Sequence, residues 1–260
     1  MVVAYHGAAF HGMAENHGVR TVAGELRASI EQILRQPVEL AIAGRTDAGV
    51  HGWGQIVSFA VPNPAAVDPG RLRHSLNRLL APEIVIRSAD VAPPGFDARH
   101  SASARRYRYT VLNREVPDPF LADTAWWVPQ RLDLASLRLA CDPFYGEHDF
   151  SSFCRRIKDP DPDRPPSMRR QVTDARWEDE GDGMLRFWIE ANAFCHQMVR
   201  SIVGTMVDVG MGRRRAGEVS GILNAQDRSA AGQVAPPQGL CLWSVRYPEG
   251  AELLPTTSGP

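Results

Sequence analysis

The sequence predicts an α+β protein of two similar subdomains, each an antiparallel sheet with helices packed on it. Three observations predict this. Short β-branched runs and helical periodicities follow one another in an order that does not build a parallel, doubly wound sheet. The second half of the chain repeats the theme of the first. A length of 260 residues suffices for one large domain or two small ones with a substantial core. The division expected is an N-terminal subdomain over 1–113, a C-terminal one over 114–248 and a tail over 249–260.

The elements run as follows. "VVAY" (2–5) is a strand. Over 22–35, Val22, Leu26, Ile30, Ile33 and Leu34 share one helical face behind Thr21 as N-cap. "VELAIA" (38–43) and "IVSFAV" (56–61) are strands on either side of a glycine-rich connection. Asp68-Pro69 opens a helix to residue 80 that places Leu72, Leu76, Leu79 and Leu80 together. Strands at 84–92 and 105–113 follow, the latter alternating strictly. In the second half a helix near 133–141 leads into "GEHDFSSF" (146–153), and 158–170 reads as a charged, proline-rich loop. Strands "QVTDARWE" and "MLRFWIEA" flank the turn "DEGDG". A helix over 195–209 buries Met198, Ile202, Val203, Met206 and Val207, another lies near 216–224, and "LCLWSVRY" (240–247) is the last strand.

Composition narrows the function classes. No apolar run reaches the ~20 residues of a membrane span, and the first ten residues lack the features of a signal peptide, so a cytoplasmic protein without a membrane partner is expected. Four scattered cysteines, with no CxxC pair, read as reduced, mostly buried thiols. The net charge is -1, yet positive charge gathers at 98–109, 155–158, 169–170 and 213–215. Lys158 is the only lysine, and arginine forks suit phosphates and stack on bases.

The connection "GRTDAGVHGWGQ" (44–55) is richer than a turn requires. It sets Gly44, Gly49, Gly52 and Gly54 around Arg45 and Asp47. Local sequence leaves two readings open. Asp47 shapes an Asx-turn whose glycines supply positive φ, or the glycines admit a bulky ligand while Asp47 presents a carboxylate into a cleft. Elsewhere there is no GxxxxGK[ST], no strand-linked GxGxxG, no HExxH and no GxSxG, so neither a nucleotide cofactor nor a metal is expected. One distinctive carboxylate and aromatic-flanked arginines remain. They suit binding a polyanion and reacting at a carbon centre.

At this point the motif can be placed. "GRTDAGVHGWGQ" resembles the catalytic motif of the TruA family of tRNA pseudouridine synthases. "FDARHSASARRYRY" (96–109), "GEHDFSSF", "FCHQMVRSIVGTMVDVG" (194–210) and "APPQGLCLWSVRYP" (235–248) are similar to further family segments in the family's order, as is 5–26. The resemblance spans residues 2–248. It departs at His6, where the family usually has Asp, at Met13, where it has Trp, and at Gln197, where a second histidine is expected.

The resemblance implies the pseudouridine synthase fold with a basic cleft between subdomains, a homodimer, and no cofactor. It implies isomerisation of uridine in the anticodon stem-loop of tRNA, at roughly positions 38–40, after flipping the base. The N1–C1′ bond breaks, the uracil turns, and C5 bonds to C1′. Asp47 is then the carboxylate that assists cleavage. Tyr107 matches the active-site tyrosine, able to stack on the flipped uracil; its other reading is a sheet aromatic facing the core. Arg45 fills the gap left by the base or binds a phosphate, or else is a solvated loop arginine. Arg200, in a mostly apolar helix, needs a partner, and by resemblance this is Asp47; its other reading is a plain helix-surface arginine. Leu240 packs against the uracil face or is an ordinary core leucine. The rivals are a non-catalytic tRNA-binding protein on the same fold and a metal-dependent nuclease, the latter disfavoured by the lack of a second clustered carboxylate.

Overall fold

The computed structural model describes residues 1–155 and 167–248. Most of the proline-rich stretch at 158–170, with Lys158, and the tail at 249–260 lie outside the described residues. The strands are β1 (Val2–Tyr5), β2 (Ala41–Ile42), β3 (His51–Ser58), β4 (Ile84–Ser88), β5 (Ala104–Leu112), β6 (Trp126–Trp127), β7 (Gly146–Asp149), β8 (Arg169–Asp179), β9 (Met184–Ala191) and β10 (Leu240–Arg246). The helices are α1 (Val22–Leu34), α2 (Pro69–Leu80), α3 (Leu134–Leu139), α4 (Met198–Gly210) and α5 (Glu218–Ala225). The chain divides into two compact units. One holds Met1–Arg105 with the strand from Cys241 onward, the other Arg106–Leu240. Each is α+β.

In the first unit the strand order is β4-β1-β3-β10, with β2 paired to β3. β1 is antiparallel to both β3 and β4, whereas β10 lies parallel to β3, Cys241 opposite His51 and Leu242 opposite Gly52. Thr21 caps α1 by accepting from Gly24 N–H, and the Asp68 carboxylate caps α2 by accepting from Gly70 and Arg71. Both helices bury one face in a core with Val3 and Tyr5 of β1, Val57 of β3, and Ile84 and Ile86 of β4. Each fully buried Leu or Ile there contributes roughly 1.5–3 kcal/mol. Leu79 departs from the predicted α2 face and is half exposed. The apolar stripe of α2 is narrower than its leucines imply, because Leu72 and Leu76 already fill the contact.

Two strand boundaries are corrected. The strand expected over 38–43 pairs only at Ala41 and Ile42; upstream, the Val38 N–H donates to the Glu31 carboxylate instead. β3 begins at His51 rather than 56, so Gly52 and Gly54 are strand residues and not loop residues. A Cβ at Gly52 would overlap the Tyr5 ring, and one at Gly54 the carbonyl oxygen of Trp243 in β10. These glycines serve close packing of neighbours, a role glycine takes inside strands.

In the second unit the order is β5-β9-β8-β7, with the short β6 parallel to β5. β8 and β9 form a long antiparallel hairpin closed by Gly181, Asp182 and Gly183, all at positive φ. α4 is buried along almost its whole length. It starts at Met198, not 195, because Gln197 adopts the left-handed region at φ 64° and breaks helical entry. Gly204 brings α4 against the backbone of Gln233, where a Cβ would overlap the carbonyl oxygen. Gly204→Ala is therefore expected to cost about 2–3 kcal/mol of unfolding free energy, read from the urea midpoint. An unchanged midpoint would refute the close approach.

Candidate active site

The segment 43–50 is a loop whose backbone is held from several sides. The buried Gln55 side chain accepts from Gly44 N–H at 3.1 Å and donates to the Gly44 carbonyl at 2.6 Å. Arg105 Nε donates to the Ala43 carbonyl at 3.1 Å. Thr46 is buried, its hydroxyl 2.7 Å from that of Tyr5, and its carbonyl accepts from Met13 N–H at 3.0 Å. Val50 N–H donates to the Asp47 carbonyl at 3.1 Å, closing a turn through Gly49 at φ 78°. His51 is buried, and its Nδ1 accepts from Gly7 N–H at 3.0 Å.

This clamping explains the pattern of side chains. With Thr46 turned inward, Arg45 and Asp47 on either side of it lie at the surface, Arg45 exposed and Asp47 half-buried. The Asp47 backbone carbonyl closes the turn through Gly49.

Tyr107, Arg200 and Leu240 lie in the other unit. Tyr107 and Tyr109 alternate onto the same buried face of β5. Tyr109 is a core residue. Its hydroxyl donates to the Pro236 carbonyl at 2.8 Å, burial raises its pKa, and Gly239 leaves room for its ring. Tyr107 is 7 % exposed and meets Phe194 edge-on at 4.9 Å. Arg200 is half-buried and donates from Nε to the Ala235 carbonyl at 2.7 Å, while Ala235 N–H donates back to the Arg200 carbonyl at 3.0 Å. In the first turn of α4, the Arg200 Nε thus has a main-chain acceptor. Leu240 is buried at the start of β10.

A curated relative from Geobacillus sp., "tRNA pseudouridine synthase A", is 39% identical to this chain, covering 94% of it and 96% of its own length. The chain belongs to the TruA family of tRNA pseudouridine synthases. It is accordingly an isomerase of that family. A protein of the same name from Corynebacterium glutamicum is 38% identical over 96% of this chain and 89% of its own length. A family profile described as tRNA pseudouridine synthase matches residues 140–248. A solved Cbf5-Nop10-Gar1 complex is similar at 14% identity and a TM-score of 0.34, over 80% of this chain and 45% of that one.

Met13 and the exposed His6 differ in their surroundings in the first unit. Met13 is fully buried in the core, and the His6 ring lies 4.6 Å from that of His51. Some arginines of the basic clusters are paired with acids. Arg106 pairs with Asp174 at 3.1 Å and Glu190 at 3.2 Å, Arg169 with Glu147 at 2.8 Å, and Arg213 with Asp208 at 3.3 Å. A run of arginines in sequence therefore overstates the charge open to a polyanion.

The cysteines are also corrected. Cys154 and Cys195, expected as reduced thiols, are joined in a disulfide with Cα atoms 5.7 Å apart; Cys141 and Cys241 take no part in a disulfide. Burial pushes the Cys141 thiol up to about 12. The residues that sequence reasoning passed over are Gln55, Tyr5 and Phe194, which position the loop and the Tyr107 ring. Gln55 stood at the end of the quoted motif; nothing local marked the other two.

Proposed function

We propose that this chain isomerises uridine to pseudouridine in the anticodon stem-loop of tRNA, at roughly positions 38–40, after drawing the target base out of its stack. The observation that carries the reading is Asp47, a half-buried carboxylate beside an exposed arginine on a loop clamped by Gln55, Thr46 and Met13. Such clamping suits a group that must meet a sugar–base bond in one geometry. The relatives' name supports tRNA as the substrate class.

In this reading Asp47 assists cleavage of the N1–C1′ bond, and the uracil turns so that C5 bonds to C1′. The Tyr107 ring stacks on the freed base, with its hydroxyl near the departing C5 proton. Arg45 takes the place of the flipped base or holds a phosphate. Leu240 supports the uracil face, and Arg200 supports the carboxylate chemistry. The enzyme works in the cytoplasm as a homodimer. The test is a map of pseudouridine in tRNA from cells with and without the protein. Loss of the modification at the anticodon arm is expected; an unchanged map would favour a non-catalytic tRNA-binding role.

No redox change or hydrolysis occurs in the isomerisation, so no cofactor is required. Among the described residues no group of three or more His, Cys, Asp or Glu is placed to hold a metal ion. Turnover on a pre-folded stem-loop is expected to persist in excess EDTA. Loss of activity restored only by added metal would overturn this and revive the metal-dependent rival.

A further inference from the structure

The Cys154–Cys195 bond lies next to the residues assigned to the uracil site in the second unit. Phe194, which packs edge-on against Tyr107, precedes Cys195 directly. Met198, the first residue of α4, donates to the Cys195 carbonyl at 3.1 Å, and Arg200 follows within the same first turn. Arg155 N–H donates to the His196 carbonyl at 2.9 Å, so the chain around Cys154 runs beside the entry to α4. The bond thus ties together two segments far apart in sequence, one of which positions the Tyr107 ring.

Its surroundings favour exchange. Cys195 is half-buried, while Cys154, itself buried, borders a groove of about 460 Å³ lined also by Arg155, Gln197, Asp227 and Arg228. Cys195, the less buried partner, is therefore the one more open to attack by a thiolate. Arg155 and Arg228 bring positive charge to the groove, with Asp227 as the opposing carboxylate, and positive charge near a released cysteine favours its thiolate. α4 adds to this, since no side chain caps its N-terminus and its positive end faces the Cys195 segment. Disulfides in reducing compartments are usually transient or redox-sensing.

We propose that Cys154 and Cys195 form a reversible thiol–disulfide site, opened by low-molecular-weight thiols and closed by hydrogen peroxide, whose closed form holds Phe194 against Tyr107. In opening, an external thiolate attacks one sulfur, and the other cysteine leaves as a thiolate and takes up a proton. A second thiol resolves the mixed disulfide, leaving two protein thiols and one external disulfide. In closing, a cysteine thiolate attacks peroxide to give sulfenic acid, and the second cysteine displaces water. Two thiols and one peroxide become one disulfide and two waters. The effect on catalysis rests on the pseudouridine synthase reading: the closed form turns over faster because the ring that receives the uracil is already placed.

The full-length protein is oxidised with peroxide or reduced with dithiothreitol, acid-quenched, alkylated and peptide-mapped. A Cys154–Cys195 linked peptide is expected in the oxidised sample alone. Hydrogen exchange across 194–200 is expected to quicken at least about tenfold on reduction. Turnover on tRNA is expected to fall at least about threefold on reduction and to recover on reoxidation. Cys154→Ser and Cys195→Ser stay at the reduced value in either condition. Absence of the linked peptide, equal exchange in the two states, or equal turnover of an active enzyme in both would each overturn the proposal. If neither form makes pseudouridine, the functional reading falls, while the linked peptide and the exchange rates still decide the thiol–disulfide site.

Discussion

Asp47→Asn is expected to abolish pseudouridine formation, lowering turnover at least about 10³-fold, while tRNA affinity stays the same or rises slightly. The amide is nearly isosteric with the carboxylate. The contacts from Gln55, Tyr5, Met13 and Val50 that hold the loop run to main-chain atoms or to Thr46, so substitution of the Asp47 side chain leaves them in place. Removing a negative charge from a surface that must accept phosphates favours binding. An amide serves neither as nucleophile nor as base, so the chemistry stops. Single-turnover assays on a tRNA substrate, tRNA affinity and thermal unfolding are measured together, so that inactivity is not confused with misfolding. A folded, tRNA-binding Asp47→Asn protein with near wild-type turnover would falsify the assignment of Asp47.

The second large effect is at Tyr107, where two substitutions separate stacking from proton chemistry. Tyr107→Phe keeps the ring and its edge-on contact with Phe194, and removes only the hydroxyl. It is expected to fold and bind tRNA nearly as wild type but to turn over about 10²-fold more slowly. Tyr107→Leu removes the ring as well. It forfeits the aromatic pair, about 0.5–1.5 kcal/mol, and base stacking, about 1–3 kcal/mol. Its tRNA affinity is therefore expected to drop together with turnover and stability. A Phe variant as active as wild type would show that the hydroxyl takes no part. A Leu variant with unchanged affinity would show that the ring does not meet the base.

Much of this protein was written locally in the chain. α1 and α2 follow from apolar spacing together with Thr21 and Asp68, because a helix's face and its cap depend on residues within a few positions of one another. The Asp47 motif was readable for a similar reason: its arginine, aspartate and glycines lie within one loop and the start of one strand. The family, too, was legible from short segments in a fixed order.

Tertiary structure decided what depends on distant neighbours. Gly52 and Gly54 look like loop glycines until Tyr5 and Trp243 are seen against them, and only then does β3 extend back to His51. β10 joins β3 in parallel from the far end of the chain, a pairing that no local pattern encodes. The disulfide between Cys154 and Cys195 has no spacing signature. The arginine clusters changed meaning because Asp174, Glu190, Glu147 and Asp208 approach them across strands and turns. Residue type and short-range spacing determined the helices, their caps and the Asp47 loop. Steric exclusion and charge pairing between remote segments determined the strand limits, the cross-link and which arginines stay open to a polyanion.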